Sequence, residues 1–152
     1  MIIIKDALKF FHAYIREIID VGGENLPKAI STKSGAKLGK IYKSKGGIMS
    51  IETSLKQIYS VLGAKPIIKK LNEKTYEVII KYPKKFCPIG GGPNRSRINL
   101  FQQSVCIPYT RGFLNELFPQ FHFESDILNC IPLDHHKNCH YILKIEKKSN
   151  ID

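Results

Sequence analysis

Cys130 and Cys139 bracket the turn-rich run Ile131-Pro132-Leu133-Asp134-His135-His136-Lys137-Asn138. Strand-forming residues flank it on both sides: Phe121, Phe123, Ile127 and Leu128 before, Tyr141, Ile142, Leu143 and Ile145 after. Apolar alternation broken by Pro, Asp and Asn predicts a β-hairpin with one thiol at each strand end. Antiparallel pairing sets two such positions nearly opposite each other, so their sulfurs can meet at about 4 Å, as tetrahedral zinc ligation at about 2.3 Å per Zn–S bond requires. A further thiol has to come from elsewhere, and Cys106, at the head of Ile107–Leu117, is the natural candidate.

A chain of 152 residues with 43% hydrophobic content is expected to form one domain, residues 1–152, with a real core. The apolar opening Met1-Ile2-Ile3-Ile4 is broken at once by Lys5 and Asp6, which fits neither a signal peptide nor a membrane span. The expected location is cytoplasmic. There, the four cysteines point to metal-bound, catalytic or reduced thiols and away from disulfides.

The formal charge of +11 raises nucleic acid or an acidic membrane surface as a partner. The lysines are scattered: Lys28, Lys33, Lys37, Lys40, Lys43 and Lys45 are the densest group, on a helix, while Lys81, Lys84, Lys85, Lys144, Lys147 and Lys148 are expected at strand ends. No RNA- or DNA-binding motif accompanies the charge, so no specific nucleic-acid partner is expected.

Along the chain, Leu8, Phe11, Ile15, Ile18 and Ile19 recur at helical spacing over Asp6–Val21, ending at Gly22-Gly23. Apolar residues on more than one side of this helix fit either intramolecular packing or a homodimer contact. A second helix is predicted from Pro27 to Ser44, stopped by Gly46-Gly47, with Gly35 and Gly39 on one face. Because Gly costs a helix about 1 kcal/mol relative to Ala, that pair predicts a close approach by another element. A third helix, Ile51–Leu62, carries Ile51, Leu55, Ile58 and Leu62 on one stripe and closes at Gly63. After Pro66 the period changes to two. Ile67–Leu71, the turn Asn72-Glu73-Lys74 and Thr75–Tyr82 predict a hairpin in which Tyr76, Val78 and Ile80 alternate with Glu77, Ile79 and Lys81. Two hairpins make a four-stranded antiparallel sheet, which with about four helices gives an α+β fold.

The stretch Cys87-Pro88-Ile89-Gly90-Gly91-Gly92-Pro93-Asn94-Arg95-Ser96-Arg97 lacks the Gly-Lys-Ser/Thr ending of a phosphate loop, and its prolines fix turns instead of presenting amides to an anion. It is read as a connection between hairpin and helix.

The order Cys106, an aromatic-Gly-aromatic helix (Tyr109, Gly112, Phe113), a strand, Cys130, a polar turn and Cys139 resembles the 4-vinyl reductase domain, also described as hydrocarbon-binding. That family is similar to the sensor domains of phenol-responsive regulators and to core subunits of the TRAPP tethering complex. The resemblance spans roughly Ile30 to Ile145 and implies zinc bound by Cys106, Cys130 and Cys139. Phenol sensors carry a glutamate ligand three residues before the second cysteine, where this chain has Ile127. The fourth ligand is thus open among Cys87, His135 or His136 in the turn, Glu124, Asp126 and water, with His140 also nearby in sequence.

Thiolate-rich zinc sites are typically structural, since sulfur donates charge and weakens the metal as a Lewis acid. No Ser-His-Asp order, carboxylate pair or dinucleotide fingerprint supports an enzyme. The reading is a zinc-stabilised module that binds a small hydrophobic or aromatic ligand, with Phe86, Phe101, Tyr109 and Phe113 as ligand contacts, working as a homodimer and acting through a separate partner. The resemblance implies two alternatives, an enzyme or accessory protein of tetrapyrrole metabolism and a protein-interaction adaptor.

Overall fold

A computed structural model describes residues 13–23, 25–46, 50–60, 63–81, 102–129 and 138–149. The first helix, α1, is described over residues 13–22. It stops where Gly23 turns to φ 79° and its N–H donates to the Ile19 carbonyl at 2.9 Å, a left-handed helix cap that favours glycine.

Helix α2 (Asn25–Ser44) and helix α3 (Ile51–Ser60) follow. Gly46, at φ 80°, ends α2 two residues after its last turn, as the Gly46-Gly47 signal predicts. At the start of α3, Ser50 Oγ accepts from the Thr53 N–H at 3.1 Å, an N-cap that satisfies one of the helix's orphan amides.

Strands β1 (Lys65–Asn72) and β2 (Thr75–Lys81) form the first hairpin. Asn72 Oδ1 accepts from the Lys74 N–H at 2.8 Å, so the asparagine side chain itself closes the turn. Tyr76, Val78 and Ile80 are buried, in the predicted alternation. A π-helical turn, Gln102–Cys106, leads directly into helix α4 (Ile107–Leu117), the expected helix between the two hairpins. Strands β3 (Phe121–Asn129) and β4 (Asn138–Lys147) form the second hairpin.

The sheet is antiparallel with order β1-β2-β4-β3, so the hairpins join through the β2–β4 seam. The fold is α+β, as expected. Leu55, Ile58 and Tyr59 of α3 and Phe113 and Leu114 of α4 pack with Val78, Phe123, Tyr141, Leu143 and Ile145 in one core cluster. Lys144 lies within β4, opposite Glu124, and not at a strand end as expected; alternation carries it to the other side of the sheet from Leu143 and Ile145, where Asp126 pairs with it.

The helix α2–α4 crossing is set by glycine. A Cβ on Gly35 would run into the Tyr109 carbonyl oxygen and lie 2.9 Å from the Phe113 nitrogen, and one on Gly112 would strike the Thr32 carbonyl. At Gly39 a Cβ would sit 3.0 Å from the Phe113 carbonyl oxygen. The close approach predicted for Gly35 and Gly39 is therefore the backbone of α4.

Candidate functional site

Two of the predicted metal ligands, Cys106 and Cys139, are among the described residues. Cys106 ends the π turn and precedes the first residue of α4, whereas Cys139 is the second residue of β4, opposite Ile80 in the sheet. Both are half-buried, and Cys139 packs on the core cluster. Between α3, α4 and β4 lies Tyr59, whose hydroxyl is 3.3 Å from Thr110 Oγ1 and 2.5 Å from the Tyr141 hydroxyl. Burial holds the Tyr59 phenol far above its ordinary pKa; the hydrogen bonds to Thr110 and Tyr141 oppose this, and negative charge on Cys139 or Cys106 adds to it. Cys106 lies about one helical turn before Thr110, and Cys139 two residues before Tyr141 on the same side of β4, so both thiols neighbour residues of this hydroxyl cluster.

A buried tyrosine hydroxyl needs a partner, and this cluster supplies one for each. Two other buried polar groups, Ser104 Oγ and Gln102 Nε2 on the π turn before Cys106, find no hydrogen-bond partner among the described residues. The hydroxyl cluster was not evident from the sequence. The signal was present in Tyr141, a polar-tipped residue alternating with buried Leu143 and Ile145, and in Tyr59, adjacent to Ile58 on the apolar stripe of α3. Neither residue names its partner, because the contact is long-range.

Several of the alternative fourth ligands face elsewhere. Alternation turns His140 to the opposite side of the sheet from Cys139, where its Nε2 is 3.4 Å from Glu77 Oε2, within ion-pair range but outside hydrogen-bond geometry. Asp126 pairs with Lys144 and Glu124 lies 3.5 Å from His122 Nε2, both on that same outer side. Ile127, at the position of the phenol sensors' glutamate, packs on the core. Among the described residues no three His, Cys, Asp or Glu side chains converge. Cys87, Cys130, His135 and His136 lie outside the described residues, as does the stretch Cys87–Arg97. The thiols of Cys106 and Cys139, both half-buried, fit a thiolate-bound metal in their chemistry.

Of the predicted ligand contacts, Phe86 and Phe101 are outside the described residues. Phe113 is fully buried, edge-on to Tyr42 with ring centroids 5.9 Å apart. Tyr109 is half-buried one helical turn before it, its phenol pushed up to about 12 by burial and by Tyr42. Structure brings Tyr109 and Phe113 together on the α2-facing side of α4.

No family profile matches the sequence, and no curated protein resembles it. Solved structures do. The chain is similar to a trafficking protein particle complex subunit 3 from Naegleria fowleri covalently bound to palmitic acid, at 12% identity and a TM-score of 0.66, covering 96% of each chain. It is also similar to the phenol-responsive sensory domain of the transcription activator PoxR with phenol, at 19% identity and a TM-score of 0.54, over 90% of this chain and 73% of the other. These likenesses establish that the chain shares the fold of TRAPP subunits and of a phenol sensor domain.

Proposed function

We propose that the chain is a binding module for a small, largely apolar molecule, with a zinc ion held by Cys106, Cys130, Cys139 and Cys87 pinning α4 to the second hairpin. The observation that carries this reading is the placement of Cys106 about one helical turn before Thr110 and of Cys139 two residues before Tyr141 on the same side of β4, the two groups that hydrogen-bond the buried Tyr59 hydroxyl. It sets two thiols from separate elements beside residues of one buried hydroxyl cluster. The fold adds support, since one of the two similar structures holds palmitic acid and the other phenol. Apolar surroundings with a few convergent hydroxyls, here Tyr59, Thr110 and Tyr141, suit a small aromatic or aliphatic guest. Tyr109 and Phe113 are the proposed apolar contacts on α4, with Phe86 and Phe101 completing the set. The module works as a homodimer through α1 and passes its signal or cargo to a separate partner.

Zinc here supplies structural cross-linking: each thiol gives up its proton on binding, so metal binding contributes directly to folding. Native mass spectrometry of protein from its own cells tests both parts at once. The expected mass is two chains, each with one zinc and one small apolar molecule. In purified protein prepared without chelator, Cys130→Ser is expected to release the metal and lower stability by several kcal/mol. Cys87→Ser doing the same identifies a four-thiolate site, and little change assigns the fourth position to a turn histidine, a carboxylate or water. Metal-free protein whose thiols are alkylated independently in the folded state would overturn the zinc site.

A further inference from the structure

We propose that the solvent face of α2 is a docking surface for an acidic lipid bilayer, a role that goes beyond small-molecule binding. Leu26, Ile30, Lys33, Lys37, Lys40 and Ile41 recur at three- and four-residue steps and so share one side of the helix. That side is opposite the one that buries Pro27, Ser31, Gly35 and Gly39. Leu26, Ile30 and Ile41 are each about half exposed, at 52%, 50% and 51%, although they are large aliphatic residues. The three lysines between them are exposed, and the whole helix Asn25–Ser44 contains no acidic residue.

A helix lying in a membrane interface needs this combination: aliphatic side chains that sink into the headgroup boundary and lysines whose stems lie along it while their ammonium groups meet anionic lipids. Electrostatics selects the occupant. A second copy of the chain seated on this face would oppose Lys33, Lys37 and Lys40 with like charge. Nucleic acid would be met without a single arginine on the helix, and would leave the three aliphatic residues without a role. An acidic bilayer uses both kinds of side chain. The mounting is also suitable: the glycine crossing locks the buried side of α2 onto α4, so the outer stripe is a rigid rod of 20 residues, roughly 30 Å long. No described helix is long and apolar enough to span a bilayer, so the expected attachment is peripheral.

The full chain is tested by flotation with vesicles of phosphatidylcholine, with and without phosphatidylserine. Binding is expected to the acidic vesicles, falling steeply as salt rises because exposed charges are screened. A lysine beside an anionic leaflet contributes roughly a factor of five, so Lys33→Gln with Lys37→Gln and Lys40→Gln is expected to weaken partitioning by about a hundredfold. Leu26→Ser with Ile30→Ser and Ile41→Ser is expected to weaken it as well, while leaving the salt dependence in place. All six residues are exposed, so both variants are expected to remain folded, with a cooperative thermal transition. Equal binding to neutral and acidic vesicles, no binding at low salt, or binding indifferent to either set of substitutions would overturn the proposal. So would tight duplex RNA binding that needs the lysines, ignores the aliphatic residues and comes without vesicle binding.

Discussion

The hydroxyls of Tyr59 in α3 and Tyr141 in β4 meet in a buried hydrogen bond across 82 positions of sequence. Thr110 of α4 lies within reach of the same Tyr59 oxygen, so one hydroxyl joins two helices to the sheet. Three elements that approach one another through apolar contacts are thereby given a direction-specific link.

Tyr59→Phe keeps the ring and removes the buried hydrogen bonds to Tyr141 and Thr110. Such a loss costs about 1–3 kcal/mol. Urea unfolding of Tyr59→Phe, Tyr141→Phe and the double variant checks this. The double variant is expected to lose less than the two single variants combined, since both single changes remove the same hydrogen bond.

Gly35→Ala forces a methyl group against the α4 backbone at Tyr109 and Phe113. Overpacking of this kind costs about 1–3 kcal/mol or more. Gly22, by contrast, has nothing within 4 Å of where a Cβ would stand, and the same change there is expected to be neutral or stabilising by up to about 1 kcal/mol. Thermal unfolding of the two variants separates the sites.

Tyr109 holds its proton up to about 12 in the folded chain, whereas an unfolded tyrosine titrates near 10. Between those values the unfolded chain binds fewer protons, so stability is full below about pH 10 and falls as pH rises towards about 12. Because Tyr109 is only part-buried, solvent screening trims its share to about 1 kcal/mol. Tyr109→Phe is expected to flatten the stability profile in that window, measured by urea unfolding from pH 9 upward.

The proposed homodimer rests on α1, where Val21 is 87% and Tyr14 57% exposed. Sedimentation at micromolar concentration is expected to give the mass of two chains, and Tyr14→Glu with Val21→Glu to return it to one. A wild-type monomer would remove the dimer from the proposal.

Much of the architecture was legible because local chemistry dictates it. Gly23 and Gly46 stop their helices at the predicted places, Asn72 makes its turn, and the alternation of Tyr76, Val78 and Ile80 marks the buried side of β2. The small pair Gly35 and Gly39 announced a close crossing, although not that Gly112 of α4 answers it. What was not legible depends on long-range pairing. Nothing local says that β2 sits beside β4, that Gln102–Cys106 winds as a π turn, or that Tyr59 finds Tyr141. The opposite facing of Cys139 and His140 follows only once the strand is placed.

The seam between β2 and β4 has a kinetic consequence. Each hairpin pairs neighbours in sequence and can close within about 1–10 microseconds. The seam, from Thr75↔Lys144 to Lys81↔Asn138, joins positions about sixty residues apart and carries the loop-closure entropy of everything between them. Tyr59 meets Tyr141 of β4 only when that closure brings the halves together. The corner built from them is thus among the last parts of the molecule to assemble, and an occupant that binds there would recognise finished chains and slow their unfolding more than it speeds their folding.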